Sequence, residues 1–140
     1  MNVEVNYLSV LIASVVSMAV GFVWYTVLFG KPWIKLMGYT KASMEKEKEN
    51  MGKTYTISFI LTLVTAYMLF HVMVFSESYF HYPKVMTGLT SGFSMWLGFV
   101  MTTQATDVLF GGKNWKLFSI NTGYQLASLL AMGLTMGLMG

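Results

Sequence analysis

Residues Tyr7–Phe29 read YLSVLIASVVSMAVGFVWYTVLF, a stretch of 23 residues without a formal charge. Three stretches of similar length and composition follow at Thr54–Ser76, Val85–Thr106 and Leu117–Met139. A helix rises about 1.5 Å per residue, so about 20 residues cross a hydrocarbon layer of about 30 Å. The sequence therefore predicts an all-α fold, a membrane bundle of four transmembrane helices that forms a single domain over residues 1–140.

The composition agrees with a membrane protein and excludes several classes of function. The chain is 55% apolar and 11% charged, whereas soluble domains carry about 25% charged residues. It has no cysteine, which excludes disulfides, thiolate metal sites and cysteine nucleophiles. Two His and six acidic residues, without a catalytic or metal-ligand spacing, offer little material for an active site. We therefore expect no enzymatic activity, no metal and no cofactor.

The positive charges are distributed unevenly between the connections. All nine cations are Lys, and eight of them lie in the connections Gly30–Lys53 and Asp107–Lys116. The connection Glu77–Lys84 holds only Lys84. Cytoplasmic loops of membrane proteins are enriched in Lys and Arg, so this asymmetry predicts that both chain termini lie on the non-cytoplasmic side. Such a pattern is typical of a membrane face and argues against nucleic acid as a partner.

The first connection contains two signals for short helices. Pro32 suits the first turn of one helix, and Ser43 predicts the cap of a second helix over Met44–Met51. The chain also holds a weak internal repeat, because Val27-Leu28-Phe29-Gly30 recurs as Val108-Leu109-Phe110-Gly111, each time before Lys and Trp residues. This recurrence favours two pseudo-symmetric helix pairs arranged as a parallel repeat. The alternative is that helices leaving a membrane commonly use Gly, Trp and Lys.

Several short motifs resemble one known family. They are Trp24-Tyr25-Thr26-Val27-Leu28-Phe29-Gly30-Lys31-Pro32-Trp33, Met51-Gly52-Lys53-Thr54-Tyr55, Trp96-Leu97-Gly98-Phe99 and Asn121-Thr122-Gly123-Tyr124. Together they resemble the bacterial membrane family called domain of unknown function 1761, over nearly the whole chain. The resemblance implies a four-helix integral protein of the cell membrane, which we expect to be the bacterial inner membrane. It implies no activity and no site residues.

Small and polar residues recur along one face of each apolar stretch. Such faces let helix backbones approach closely or hydrogen bond across an interface. The residues predicted to pack helices together are Ala13, Ser17, Gly21, Gly88, Gly92, Gly133 and Gly137. One face of the third stretch holds Thr87, Ser91, Ser94, Gly98, Thr102 and Thr106, and one face of the fourth holds Asn121, Gln125, Ser128 and Thr135. The same faces are also suited to line a hydrated path.

Asp107 is the acidic residue of most interest, because it lies in the last turn of the third helix if that helix runs to Phe110. A carboxylate in the last turn of a helix is disfavoured by the helix dipole and needs a partner. Lys113 and Lys116 are the nearest cations, which favours a structural ion pair over a site that handles protons or cations. The candidate polar cluster on the cytoplasmic side consists of Gln104, Asp107, Asn121 and Gln125.

Two functions are compatible with these observations. The first is a non-enzymatic helix-packing protein that assembles with itself or joins a larger complex as an accessory subunit. The second is a transporter or channel for a small solute or ion, lined by the Ser, Thr, Asn and Gln stripes. The expected partners are the lipid bilayer and either a second copy of this chain or another membrane subunit.

Overall fold

The structure is a computed structural model that describes residues 4–139, and within these residues it is helical without a strand. The helices are α1 (Tyr7–Val23), α2 (Gly30–Met37), α3 (Lys41–Lys48), α4 (Met51–Phe80), α5 (Lys84–Met95), α6 (Thr102–Gly111) and α7 (Trp115–Met139). Two π-helical segments interrupt the α-helical winding: Trp24–Leu28 continues α1, and Trp96–Met101 joins α5 to α6. The all-α prediction is therefore confirmed.

Four long helical rods cover the four apolar stretches of the sequence. They are residues 7–28, α4, residues 84–111 and α7. Two of them, Tyr7–Leu28 and Met51–Phe80, are long and apolar enough to cross a membrane by length and composition. The other two contain the polar stripes, including Asn121 and Gln125, which lower their apolar content. Length and composition thus support membrane association for two of the four rods.

The long rods pack against one another in antiparallel pairs. Helix α7 packs against α1 and α5, and α4 contacts α1 and α5 in turn. The pairing of Ser17 with Ser128 and of Tyr25 with Asn121 shows that α1 and α7 run in opposite directions. Consequently one end of the molecule collects α2, α3 and the α6–α7 connection. We call it the Lys-rich end, because eight of the nine Lys residues lie there. The predicted position of the termini rests partly on residues 1–3 and 140, which lie outside the described residues.

The main hydrophobic cluster lies in the half of the molecule away from the Lys-rich end, and Val108 and Ile120 are buried outside it. The buried members of this cluster come from the first half of α1, the second half of α4 and the second half of α7: Val10, Ala13, Ala66, Leu69, Phe70, Met73, Leu129, Met132 and Met136. By contrast, residues 51–57 of α4 are all exposed. The rods are therefore tightly packed at one end, which we call the closed end, and α4 separates from its neighbours towards the Lys-rich end.

The helix boundaries at the Lys-rich end have local causes. Gly38 and Gly112 adopt left-handed backbone angles (φ 73° and 65°), which glycine tolerates, and they end α2 and α6. Helix α3 begins earlier than predicted, because Thr40 is its N-cap and Ser43 completes a reciprocal capping box three residues later. The prediction that Ser43 itself caps a helix over Met44–Met51 is thus wrong by one helical turn.

Candidate functional site: a polar and aromatic junction on α7

Two tryptophan side chains hold α7 from two different helices. The Trp24 indole Nε1–H donates to the Ile120 carbonyl oxygen (2.9 Å), and the Trp96 Nε1–H donates to the Thr122 carbonyl oxygen (2.8 Å). Each tryptophan is the first residue of a π-helical segment. Wider π-helical turns are often associated with functional sites. The two indoles therefore attach the separate rods to the same turn of α7.

Aromatic and amide groups complete this contact region, which we call the junction (Trp24, Tyr25, Trp96, Asn121 and Tyr124). The Tyr25 hydroxyl donates to the Asn121 Oδ1 at 2.7 Å. Its ring meets Tyr124 edge-on, with ring centroids 5.2 Å apart. On its other side the Tyr25 ring lies 5.0 Å from that of Trp33 in α2. The junction thus links α1, α2 and α7 through one tyrosine.

Glycines make room for the large rings of the junction. A methyl group on Gly21 would lie 3.0 Å from the Tyr124 hydroxyl oxygen. One on Gly123 would lie 3.0 Å from Cζ2 of Trp24. Each helix therefore places a glycine against an aromatic ring of the other, and an alanine at either position would push that ring by a few tenths of an ångström.

A cavity of about 260 Å³, which we call the inner cavity, lies beside the junction between α1, α4 and α7. It is open to the surface on one side, where Leu61 and Thr65 are exposed. The lining residues are mostly hydroxyl-bearing or amide side chains: Ser17, Ser58, Leu61, Thr62, Thr65, Tyr124, Gln125, Ser128 and Met132. Ser17 and Ser128 are buried and hydrogen bond to each other. No side chain that lines this cavity is charged. Within residues 4–139, the Gln125 amide and the Tyr124 hydroxyl have no hydrogen-bond partner.

An outer cavity of about 190 Å³ lies nearer the Lys-rich end, between α6 and α7. Gln104, Asp107 and Asn121 are among the residues that line it. The Gln104 Oε1 accepts a hydrogen bond from the Thr122 hydroxyl. Asp107 pairs with Lys113, and both side chains remain more than half exposed, at 57% and 55%. Because the charges are exposed and paired with each other, they act as a surface ion pair between α6 and the start of α7.

The predicted polar cluster is therefore divided between two cavities. Gln104, Asp107 and Asn121 line the outer cavity, whereas Gln125 lines the inner one. Asn121 connects the two regions, because it lines the outer cavity and also accepts the bond from Tyr25 of the junction. Sequence reasoning did not assign Trp24, Tyr25 or Trp96 to the site. The signal that would have found them is their presence in the motifs that carry the family resemblance, which meet here on α7.

The residues predicted to pack helices together do so within this one chain. Ala13 lies in the core, and Ser17 faces Ser128 across the α1–α7 interface. Side chains in place of Gly88, Gly92, Gly133 and Gly137 would all meet backbone atoms across the α5–α7 interface. These faces are thus already covered by the chain's own helices, which leaves them no surface for a second copy.

Other polar residues of the third rod point outward, contrary to prediction. Thr87 and Ser91 are buried against α7, but Ser94, Gly98, Thr102 and Thr106 are exposed. The π-helical segment Trp96–Met101 winds more slowly than an α-helix, so it rotates the following residues relative to α7. The residues predicted to share one face therefore lie on two faces, one buried against α7 and one exposed. In addition, no three His, Asp or Glu residues come together as metal ligands anywhere in the described part of the chain.

Comparison with known proteins supplies a family and no characterised relative. A family model described as "Protein of unknown function (DUF1761)" matches residues 8–137, which is most of the chain. No curated protein matches the sequence. No solved structure matches it either.

Proposed function

The chain belongs to the DUF1761 family of proteins of unknown function, and from its geometry we propose that it is a non-enzymatic membrane protein that admits a small solute. In this proposal all four long rods cross the cell membrane, and the Lys-rich end faces the cytoplasm. The solute enters from that end and occupies the inner cavity beside the junction. The observation that carries the proposal is this cavity, which is polar although it lies between apolar helices.

The outer surface of the four rods supports a membrane location for all of them. Large apolar side chains are exposed on each rod, for example Val15 (54%), Val64 (57%), Phe99 (69%) and Leu138 (70%). Exposed apolar residues on every side are costly in water but match a hydrocarbon environment. The position of eight Lys residues at one end supports a cytoplasmic location for that end.

The unpartnered groups of the inner cavity support a role in binding. A polar group in a membrane interior costs free energy unless it is hydrogen bonded. The Gln125 amide and the Tyr124 hydroxyl have no partner within residues 4–139, so water or a solute is needed to satisfy them. A protein that used α7 only for packing would be expected to bury apolar or mutually bonded residues at these positions.

The division into a closed end and a separated end supports access from one side. The hydrophobic core fills the bundle at the closed end, while residues 51–57 of α4 are exposed towards the Lys-rich end. The junction lies between the two cavities, because Asn121 lines the outer one and Tyr124 lines the inner one.

The proposal is tested by reconstituting the full chain into lipid vesicles and following the release of small ions, polyols and amides. We expect the wild-type protein to accelerate the release of at least one of them. Gln125→Trp, which fills the inner cavity from a half-buried position, should return the rate to that of protein-free vesicles. Wild-type rates equal to those of protein-free vesicles for every solute would contradict the proposal.

Self-association is a second candidate, supported by a different surface. The outward face of residues 84–111 presents small residues at four-residue intervals: Thr90, Ser94, Gly98, Thr102 and Thr106. Nothing in the described chain lies within 4 Å of a side chain built on Gly98. Small residues at this spacing permit close helix contact in membranes. Cross-linking in membranes tests this candidate. Ser94→Leu should reduce the amount of cross-linked dimer relative to wild type, and an unchanged amount would show that this face is not the dimer interface.

A further inference from the structure

We infer that the inner cavity selects uncharged solutes that both donate and accept hydrogen bonds, such as small polyols and amides, and that Gln125 is the residue that determines this selectivity. This inference rests on the proposed function, because it names the class of solute that the same cavity admits. It follows from the donors, acceptors and charges that line the cavity.

On the α4 wall of the cavity, two threonine hydroxyl protons are already engaged, whereas the Ser58 hydroxyl makes no hydrogen bond within residues 4–139. The Thr62 hydroxyl donates to the Ser58 carbonyl oxygen at 2.8 Å, and the Thr65 hydroxyl donates to the Leu61 carbonyl oxygen at 3.1 Å. Each hydroxyl oxygen retains lone pairs, so these threonines present acceptors to the cavity. A solute that meets this wall can therefore donate hydrogen bonds to the threonines and accept one from Ser58.

The opposite wall supplies most of the free donors. Gln125 on α7 carries two amide protons and a carbonyl oxygen, and Tyr124 carries a phenolic proton. None of these groups bonds to another group within residues 4–139. Both walls therefore present donors and acceptors to a solute, with the larger number of free donors on the α7 side. Hydroxyl and carboxamide groups of a solute both donate and accept hydrogen bonds.

Charged solutes are disfavoured by the same wall. A charge moved from water into a membrane interior needs an opposite charge or a complete shell of ligands. The inner cavity is lined by no charged side chain. The nearest described ion pair, Asp107 with Lys113, belongs to the outer cavity and is internally compensated. The volume of about 260 Å³ is also large for a single dehydrated ion but suits a small organic molecule or several waters.

The experiment compares permeabilities to glycerol, urea, potassium and chloride in vesicles that contain wild-type protein, Gln125→Leu or Thr135→Val. Gln125→Leu keeps the approximate size of the side chain and removes its donors and acceptor. Thr135→Val is the matched control, because Thr135 lies on the same helix outside the cavity and donates to the Ala131 carbonyl oxygen. Folding of each variant is checked by its thermal transition in detergent.

We expect wild-type protein and Thr135→Val to pass glycerol and urea without conducting either ion. Gln125→Leu should lower the glycerol and urea permeabilities by about tenfold, since a lost buried hydrogen-bond partner costs about that factor. Ion conductance that Gln125→Leu abolishes would overturn the inference about selectivity and leave the proposed function standing. Glycerol and urea rates unaffected by a folded Gln125→Leu would overturn the role of Gln125. Absence of flux for every solute would contradict the proposed function and, with it, this inference.

Discussion

Gly88 of α5 and Gly133 of α7 lie with their backbones in direct contact. A side chain on either residue would overlap the carbonyl oxygen of the other. One turn further along α5, a methyl group on Gly92 would lie 2.8 Å from the Leu129 carbonyl oxygen. The α5–α7 interface therefore depends on the absence of side chains at these positions, and it is the closest helix contact that the described glycines mark.

Gly88→Leu should destabilise the protein strongly. Its side chain would collide with the backbone of Gly133, which cannot move aside as a flexible side chain can. We expect a loss of about 3 kcal/mol or more in the free energy of unfolding, measured by chemical denaturation in detergent micelles. Gly98→Leu is the control, because a side chain there meets nothing within 4 Å in the described chain, and its loss should stay below about 1 kcal/mol. Equal effects of the two substitutions would contradict the close contact between Gly88 and Gly133.

Ser91→Ala should leave stability unchanged or raise it. The Ser91 hydroxyl is buried and has no hydrogen-bond partner among the described residues, so its removal relieves an unsatisfied group. Ser128→Ala is a matched comparison, since it removes the bond to Ser17 at another buried serine. We expect a loss of about 1 kcal/mol for Ser128→Ala and none for Ser91→Ala. A larger loss for Ser91→Ala would mean that its hydroxyl has a partner.

Trp24→Phe and Trp96→Phe should each loosen the attachment of α7. Each change removes one indole donor to a main-chain carbonyl and keeps an aromatic ring in place. We expect each to cost about 1 kcal/mol in unfolding free energy. Trp115→Phe serves as the control, because that side chain is 52% exposed and its indole makes no hydrogen bond within residues 4–139. Wild-type stability in both junction variants would show that the indole bonds contribute nothing.

Asp107→Asn should change stability by less than about 1 kcal/mol. Exposed ion pairs contribute little, and removing a carboxylate from the end of a helix relieves its unfavourable interaction with the helix dipole. Any difference from wild type should shrink in high salt, which screens exposed charges. Lys113→Gln should behave alike, because it removes the other member of the same pair. Loss of solute flux with unchanged stability in Asp107→Asn would instead assign the carboxylate a functional role.

The helical rods and the Lys-rich end follow from the sequence for physical reasons. In a membrane, a single long stretch without charge can satisfy its own backbone polar groups by forming a helix, and Gly38 and Gly112 end helices because they tolerate positive φ. The pairing of Asp107 with Lys113 also agrees with the expected ion pair. Such features depend on residues close together in the chain.

The junction could not be predicted in the same way. The indole groups of Trp24 and Trp96 donate to carbonyl groups on α7 that are distant in sequence. Because every residue has a backbone carbonyl, the sequence does not show which one accepts the bond. The outward position of Thr102 follows from the preceding π-helical segment, which a regular spacing of polar residues does not reveal. The predicted repeat of Val27–Gly30 and Val108–Gly111 also does not match the spacing of the two junction tryptophans. Trp24 lies three residues before the first tetrapeptide, whereas Trp96 lies twelve before the second.

In the proposed function, water and solute reach the inner cavity from the Lys-rich end. Labelling of an introduced cysteine thiol measures this access. The chain has no cysteine, so a single introduced thiol reports its own surroundings. Thr62→Cys places the thiol in the wall of the inner cavity, and Val64→Cys places it on the exposed apolar surface of the same helix. A maleimide that cannot cross membranes reacts with the thiolate, which forms in water and not in hydrocarbon.

We predict that Thr62→Cys reacts at least about tenfold faster than Val64→Cys when the reagent is added on the cytoplasmic side, where the Lys-rich end is expected. We also predict no reaction of Thr62→Cys when the reagent is added on the other side. Equally slow labelling of both thiols, or labelling of Thr62→Cys only from the non-cytoplasmic side, would contradict access from the Lys-rich end.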